Sequence, residues 1–305
     1  TASESGTKYI TADVFIDATA DIYVARASGC ASAIGMEARS VYDEPSAPEA
    51  SEYVLNNASL CYRITPLKEG ESPQVQSKPD DVDIGLIRPV TSIRTYPNGD
   101  LNMNPLHIMT GIEANDLGEK AYEEAKKRIL AHWHILQTQY DFNRWRLVWI
   151  SPMLGVRETH RLVGQYVLKE QDVDGGLNSG DPPDIIAIAD HAIDFHGARP
   201  SRELHKGPYG IPFRCLLTNE ITNLLVACRG ASFSSVAASS CRLSRTMMVL
   251  GQVAGTAASM FGTDVGRFEP GELRTQLEKD GVALDYDAGY LDAQDDVTPL
   301  IEPRW

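Results

Sequence analysis

Apolar and polar positions alternate along this chain with two different periods. Residues 9–18 (YITADVFIDA) pass from alternation into an apolar run and predict a strand. Thr19-Ala20-Asp21 then turns the chain, with Asp21 placed to cap a short helix, IYVARASG, that stops at Gly29. Residues 39–105 are rich in Pro, Ser and Asp. Their short β-branched runs, Tyr53–Leu55, Ser59–Ile64 and Ile84–Val90, predict an irregular β region. From Asp116 to Gln139 the period becomes helical. Asp116 and Glu119 form a capping box there, and Ala121, Ala125, Ile129, Trp133 and Leu136 fall on one stripe. Arg146–Ile150 reads as a strand, and the apolar run Leu224–Ala227 as a fully buried one. After a loop of small residues comes a long apolar helix carrying Gly251 and Gly255. Glycines four apart share one face and admit a close neighbour, so Gly255→Leu is expected to cost roughly 1–3 kcal/mol by overpacking. Leu273–Val282 predicts a last short helix stopped by Gly281, and Asp285–Trp305 an acidic loop or tail.

Composition narrows the function classes. The 305 residues suffice for two domains. No apolar run approaches the roughly 20 residues of a membrane span. Twenty-eight basic against 42 acidic residues give a net charge of −14, which repels phosphate backbones and argues against nucleic acid while leaving room for a local anion pocket. The five cysteines (Cys30, Cys61, Cys215, Cys228, Cys241) contain no CxxC pair. A disulfide framework and a structural zinc site are therefore not expected, no metal site is assigned, and a reducing, cytoplasmic setting is. His132 and His134, two apart on a helix, point to different faces. A chain opening at Thr1 rather than Met reads as a processed product or an incomplete piece.

Three further stretches carry candidate chemistry. In Gly155–Gly164, Arg157, Glu158, His160 and Arg161 lie within five residues. If Arg157 and Glu158 pair, a free Arg161 is placed to hold a substrate anion bidentately; a surface ion-pair cluster is the alternative. Asp194 and His196 in the segment IDFHG would share one face of a strand, with the carboxylate orienting the imidazole as a general base; a structurally satisfied histidine is the other possibility. Arg214, in YGIPFRCL, fits either a buried ion pair or a substrate contact. The run Lys78–Asp83 reads as a solvated acidic linker.

Taken together, five ordered motifs between Ala12 and Val282 resemble FAD-dependent oxidoreductases of the glutathione-reductase type. Asn223–Phe261 resembles their C-terminal flavin-binding segment, including N-L-L-V-A-G-R and the stretch LGQVAGTAA. Ile16–Asp21 is similar to the family's I-D-A-T-G-D, Gly155–Gly164 to G-x-R-E-T/S-R-R-x-x-G followed by a tyrosine (Tyr166), Ile193–His196 to I-D-x-H, and Tyr209–Leu216 to Y-x-I-P-Y-R-C-L. Among the departures from the pattern, Ala20 and Cys228 replace glycines, His160 an arginine and Arg245 a proline; Arg242 matches.

The resemblance implies an α/β fold: a partial FAD-binding Rossmann-like domain (1–38 and 201–282), an inserted β-rich substrate domain (39–200) with the long helix, and an acidic tail (283–305). It implies FAD contacts from Ala18, Thr19, Ala20, Cys228, Arg229, Arg242, Leu250, Gly251, Gln252, Gly255 and Thr256. A helix N-terminus directed at the flavin pyrimidine would favour its anionic reduced form by up to about 2 kcal/mol. His196, His160, Arg161, Tyr166 and Arg214 are the catalytic candidates for hydride transfer between a small polar substrate and flavin. No G-x-G-x-x-G follows a strand, so the pyrophosphate loop is expected on a second polypeptide. Two alternatives stand: a cofactor-free structural or binding relative, and a fragment of a single-chain enzyme.

Overall fold

The computed structural model describes residues 2–3, 6–177, 183–197, 199–285 and 300–301. They form two compact units. The first comprises Thr1–Ser51, His160–Ile193 and Glu203–Ala288; the second comprises Glu52–Thr159, Asp194–Arg202 and Gly289–Trp305. Residues 160–193, grouped by sequence with the substrate region, thus cluster with the first unit, as do residues 39–51.

The first unit is organised on a parallel strand pair. Phe15–Asp17 runs beside Leu224–Val226, with Ile16 opposite Leu225 and Asp17 opposite Val226. The apolar run at 224–226 is fully buried, as its composition demands. The predicted strand over 9–18 shrinks to Phe15–Asp17. Tyr9 and Ile10 lie in solvent, and alternation without a neighbouring strand specifies nothing. The following helix is Tyr23–Ala27, and Asp21 does not cap it: the Tyr23 amide donates to Thr19 Oγ1 (2.8 Å) instead. An antiparallel pair, Ile185–Ala189 with Tyr209–Pro212, packs against the long helix Ser244–Phe261. That helix buries Leu250, Val253, Ala254 and Ala257 at helical spacing. The last helix is Pro270–Lys279, with Gly281 at a φ of 83° beyond it.

The second unit is an antiparallel sheet, ordered Leu300–Ile301, Thr91–Thr95, Leu101–Pro105, Tyr62–Pro66 and Trp145–Ile150. The helix Ala121–Gln139 lays the predicted stripe (Ala121, Ala125, Ile129, Trp133, Leu136) into one core with Leu60, Tyr62, Ile64, Ile93 and Met103. Its start differs from expectation. A separate helix, Gly111–Leu117, comes first, with the capping box made by Thr110 and Glu113 rather than Asp116 and Glu119. Gly118, at a φ of 53°, breaks the two apart. Of the predicted β runs, Tyr53–Leu55 is not a strand, Ser59–Ile64 becomes regular only at Tyr62, and Ile84–Leu86 is a 3-10 turn capped by Asp83. His132 is buried between Tyr62 Oη and Thr91 Oγ1, 2.9 Å from each, and burial lowers its pKa to about 4: a neutral, structural histidine. Of the expected acidic tail, residues 286–299 and 302–305 lie outside the described residues, as do Asp181 and Pro182 of the segment before Ile185.

Candidate functional site

In the first unit the site is built outward from Asp17, at the end of its strand and fully buried. Its carboxylate accepts from the Thr19 amide (2.9 Å), the Thr19 hydroxyl (2.6 Å) and the Ala25 amide (2.9 Å), tying strand, turn and helix into one knot. Within that knot Ala20 (φ 56°) and Ile22 (φ 50°) are both left-handed. Non-glycine residues pay of order 1–3 kcal/mol each there, and such strain persists only where the surroundings impose it. The conformation also explains why a glycine suits position 20: the alanine methyl is accommodated, at a cost in backbone strain.

Cys228, Arg229 and Gly230 close on this turn from the second strand. The Cys228 thiol is pushed up to about 11, first by burial, and it lies against the Ala20 backbone. Arg229 pairs with Asp21 at 2.5 Å. A side chain at Gly230 would meet Ile22 at 2.6 Å and the carbonyl of His160 at 2.8 Å, so His160 belongs to the same cluster. Burial, together with the nearby Arg26 cation, lowers the His160 pKa. Two polar atoms in this cluster, Arg229 Nε and His160 Nδ1, are buried without a hydrogen-bond partner. Such atoms cost about 1–3 kcal/mol each, and in folded proteins they mark strain or ligand sites.

The remaining candidates separate into distinct roles. Arg161 is not free. It is 1 % exposed and donates to Glu37 Oε1 (2.6 Å), Gly35 O (2.7 Å) and Phe233 O (3.1 Å), so the anion clamp expected of it is replaced by a buried ion pair. Tyr166 and Arg214 do meet. Arg214 grips Asp184 through Nε and Nη2 (3.0 and 3.2 Å) and lies over the Tyr166 ring, whose hydroxyl donates to Asp172 (2.7 Å). Burial and Asp172 raise the Tyr166 pKa, keeping it a phenol. On the long helix, Gly251, Gln252 and Gly255 are exposed and Thr256 half-buried, while Leu250 turns into the core and offers a ligand no side chain. Arg242 donates to the Ala238 carbonyl, and Arg245, where the resemblance has proline, pairs with Asp190.

His196 belongs to the second unit. It is not on a strand: it sits in a turn at a φ of 45°, and Asp194 reaches it by accepting from the His196 amide (2.8 Å) and facing Nδ1 (3.3 Å). The carboxylate thus orients the imidazole, through turn geometry rather than strand geometry. Next to it, Gly197 lines a cavity of about 850 Å³ together with Asn57, Arg88, His107 and Arg128. Arg128 is neutralised by Glu113 and Glu124, whereas Arg88 makes no hydrogen bond or ion pair among the described residues. Burial and Arg88 lower the His107 pKa. Sequence reasoning missed Asp17, Gly230, Glu37 and Asn57; a carboxylate at the end of a strand, directly before the turn in I-D-A-T, was the available signal for Asp17.

The left-handed turn and the two orphaned polar atoms fit a bound dinucleotide, with Ala20, Arg229 and His160 as the residues that would face it. No curated protein and no solved structure compared with the chain matches it. A family model described as FAD dependent oxidoreductase matches residues 1–265. The chain therefore belongs to the FAD dependent oxidoreductase family, and its cofactor is FAD.

Proposed function

We propose that this chain is the larger part of a glutathione-reductase-type flavoprotein that moves a hydride between a small polar organic substrate and FAD. A second polypeptide bearing G-x-G-x-x-G would complete it. The observation that carries this reading is the edge of the parallel pair. Phe15–Asp17 has one strand neighbour among the described residues, and Phe15 and Ile16 are 36 % and 41 % exposed. Parallel strands are normally covered on both faces and flanked on both sides. A further βαβ unit beside Phe15–Asp17 would bury that edge and bring a pyrophosphate loop to the turn at Ala18–Ala20.

FAD, when bound, supplies the hydride acceptor. The chain's own residues supply the rest. Asp17 holds the turn, and Ala20 and Arg229 would hold the cofactor there. His160, kept neutral by burial and Arg26, holds a ring lone pair able to take a proton. The second-unit cavity, within the usual range for small-ligand sites, supports the substrate assignment.

Native mass spectrometry with an absorbance spectrum tests this. The expected result is a flavin-bearing assembly of this chain with a partner of roughly 100–150 residues. A folded 33.4 kDa species with neither partner nor flavin would overturn it.

A further inference from the structure

The second unit holds a polar constellation around His196 whose hydrogen-bond inventory fixes a protonation state. Ser59, 2 % exposed, has one hydroxyl proton and two lone pairs. Its Oγ lies 2.8 Å from the Pro105 carbonyl, 3.0 Å from Arg157 Nη1 and 3.3 Å from His196 Nε2. A carbonyl only accepts, so the Ser59 proton goes to Pro105. A guanidinium only donates, so Arg157 takes one lone pair. What remains for His196 is the second lone pair, and Nε2 must carry a proton to meet it.

The other ring nitrogen faces Asp194. Its carboxylate accepts from the His196 amide (2.8 Å) and from the Ser201 hydroxyl (2.8 Å), bonds that favour the ionised form. An ionised carboxylate accepts only, so Nδ1 must carry a proton as well.

We propose that Ser59 and Asp194 lock His196 as a doubly protonated imidazolium, so that it serves as a fixed positive charge beside the second-unit cavity and not as the base. The ring stands one residue from the cavity wall, which Gly197 forms: a side chain there would come within 2.6 Å of both the Asn57 amide and the His107 ring. Of the carboxylates on this cavity, Glu113 and Glu124 are taken by Arg128, Asp81 by Lys127 and Asp83 by the turn it caps, while Arg88 has no partner among the described residues, so the substrate class favoured is an anion, a small carboxylate above all.

Among the charged groups around His196, Asp194 favours the second proton and Arg157, through Ser59, opposes it. Arg157 Nη1 donates both to the Asn57 carbonyl (2.7 Å) and to Ser59 Oγ (3.0 Å), so Ser59 stands between that cation and the ring. His107, beyond Gly197, is biased toward its neutral form and adds little. Ser59 and Arg157 are positioning residues here. The substrate clause rests on the oxidoreductase reading; the protonation state does not.

The test is NMR of the full-length chain labelled with ¹⁵N-histidine, the His196 signals being identified by their loss in His196→Gln. At pH 7.5 both ring nitrogens are expected at imidazolium positions, with an apparent pKa raised above the ordinary histidine value. Ser59→Ala should lower that pKa, and Ser59→Thr, which keeps the hydroxyl, should restore it. A neutral wild-type ring at pH 7.5 overturns the proposal whether or not the Ser59 variants fold. A pKa unmoved in folded Ser59→Ala removes Ser59 from it. Because the spectrum needs no flavin, absence of FAD from the assembly would sink the functional reading and leave this result standing.

Discussion

Gly255→Leu separates what the long helix does inside this chain from what it does in the assembly. From spacing, the substitution was expected to overpack the helix face and cost roughly 1–3 kcal/mol. The structure reverses the sign. A Cβ built at Gly255 meets nothing within 4 Å, and the same holds at Gly251. With no neighbour to displace, what is left is helix propensity, and glycine in a helix interior is about 0.8–1.0 kcal/mol worse than alanine, with leucine close to alanine. Urea unfolding of the chain should therefore show Gly255→Leu more stable by about 0.5–1 kcal/mol. If that face receives FAD or the partner's backbone, the same leucine should cut the flavin content of the purified assembly at least roughly tenfold, the cost of about 1.4 kcal/mol or more expected from overpacking. A lowered urea midpoint would mean the glycine face is already covered within the chain. Undiminished flavin would mean that this face is not where the cofactor lies.

Three further outcomes follow from named contacts. Asp17→Asn replaces an acceptor of three hydrogen bonds by a group that accepts on one atom only, and should destabilise the chain by about 1–3 kcal/mol in urea unfolding. Glu37→Ala strands the buried Arg161 guanidinium and should cost about 3–5 kcal/mol; a loss below 1 kcal/mol would show that Arg161 has another route to solvent or charge. Burial raises the Glu44 pKa from 4.5 to about 7, so the folded state binds a proton that the unfolded state releases. The stability this proton gives is full below about pH 4.5 and is lost as pH rises through about 7, a fall on the order of 3 kcal/mol that should be absent from Glu44→Gln. Parallel pH profiles for the two proteins would refute the assignment.

The elements visible in the sequence are those whose pattern is self-sufficient. The stripe Ala121–Leu136 and the run Leu224–Val226 specify a helix and a buried strand because each buries its own apolar side chains in this chain. Elements whose limits depend on a neighbour were misjudged. Residues 9–14 alternate as a strand would, but strand is decided by pairing, and pairing reaches only Phe15. The helix entry at Asp116 looked sound because Asp and Glu stand at capping-box spacing. Thr110 and Glu113 offer the same chemistry one helix earlier, and Gly118 places the break between them.

The site shows the same division between residue type and residue role. Motif resemblance picked out Ala20, Cys228, Arg229 and His160, and these do converge on one turn. It also grouped His160 and Arg161 as catalytic candidates, although adjacent residues in extended backbone send their side chains to opposite sides. Arg161 goes inward to Glu37, while His160 stays at the turn with Arg26 and Asp21 acting on it. Protonation was illegible for a stronger reason. Whether a histidine accepts or donates depends on partners such as Ser59, which lies 137 positions from His196, and on which group has already claimed the serine's single proton. On that accounting the two histidines that looked interchangeable as bases divide: His160 is pushed toward the neutral ring and His196 toward the charged one. Environments that drive two like groups apart are how one fold assigns a proton acceptor and a fixed positive charge to the same kind of side chain.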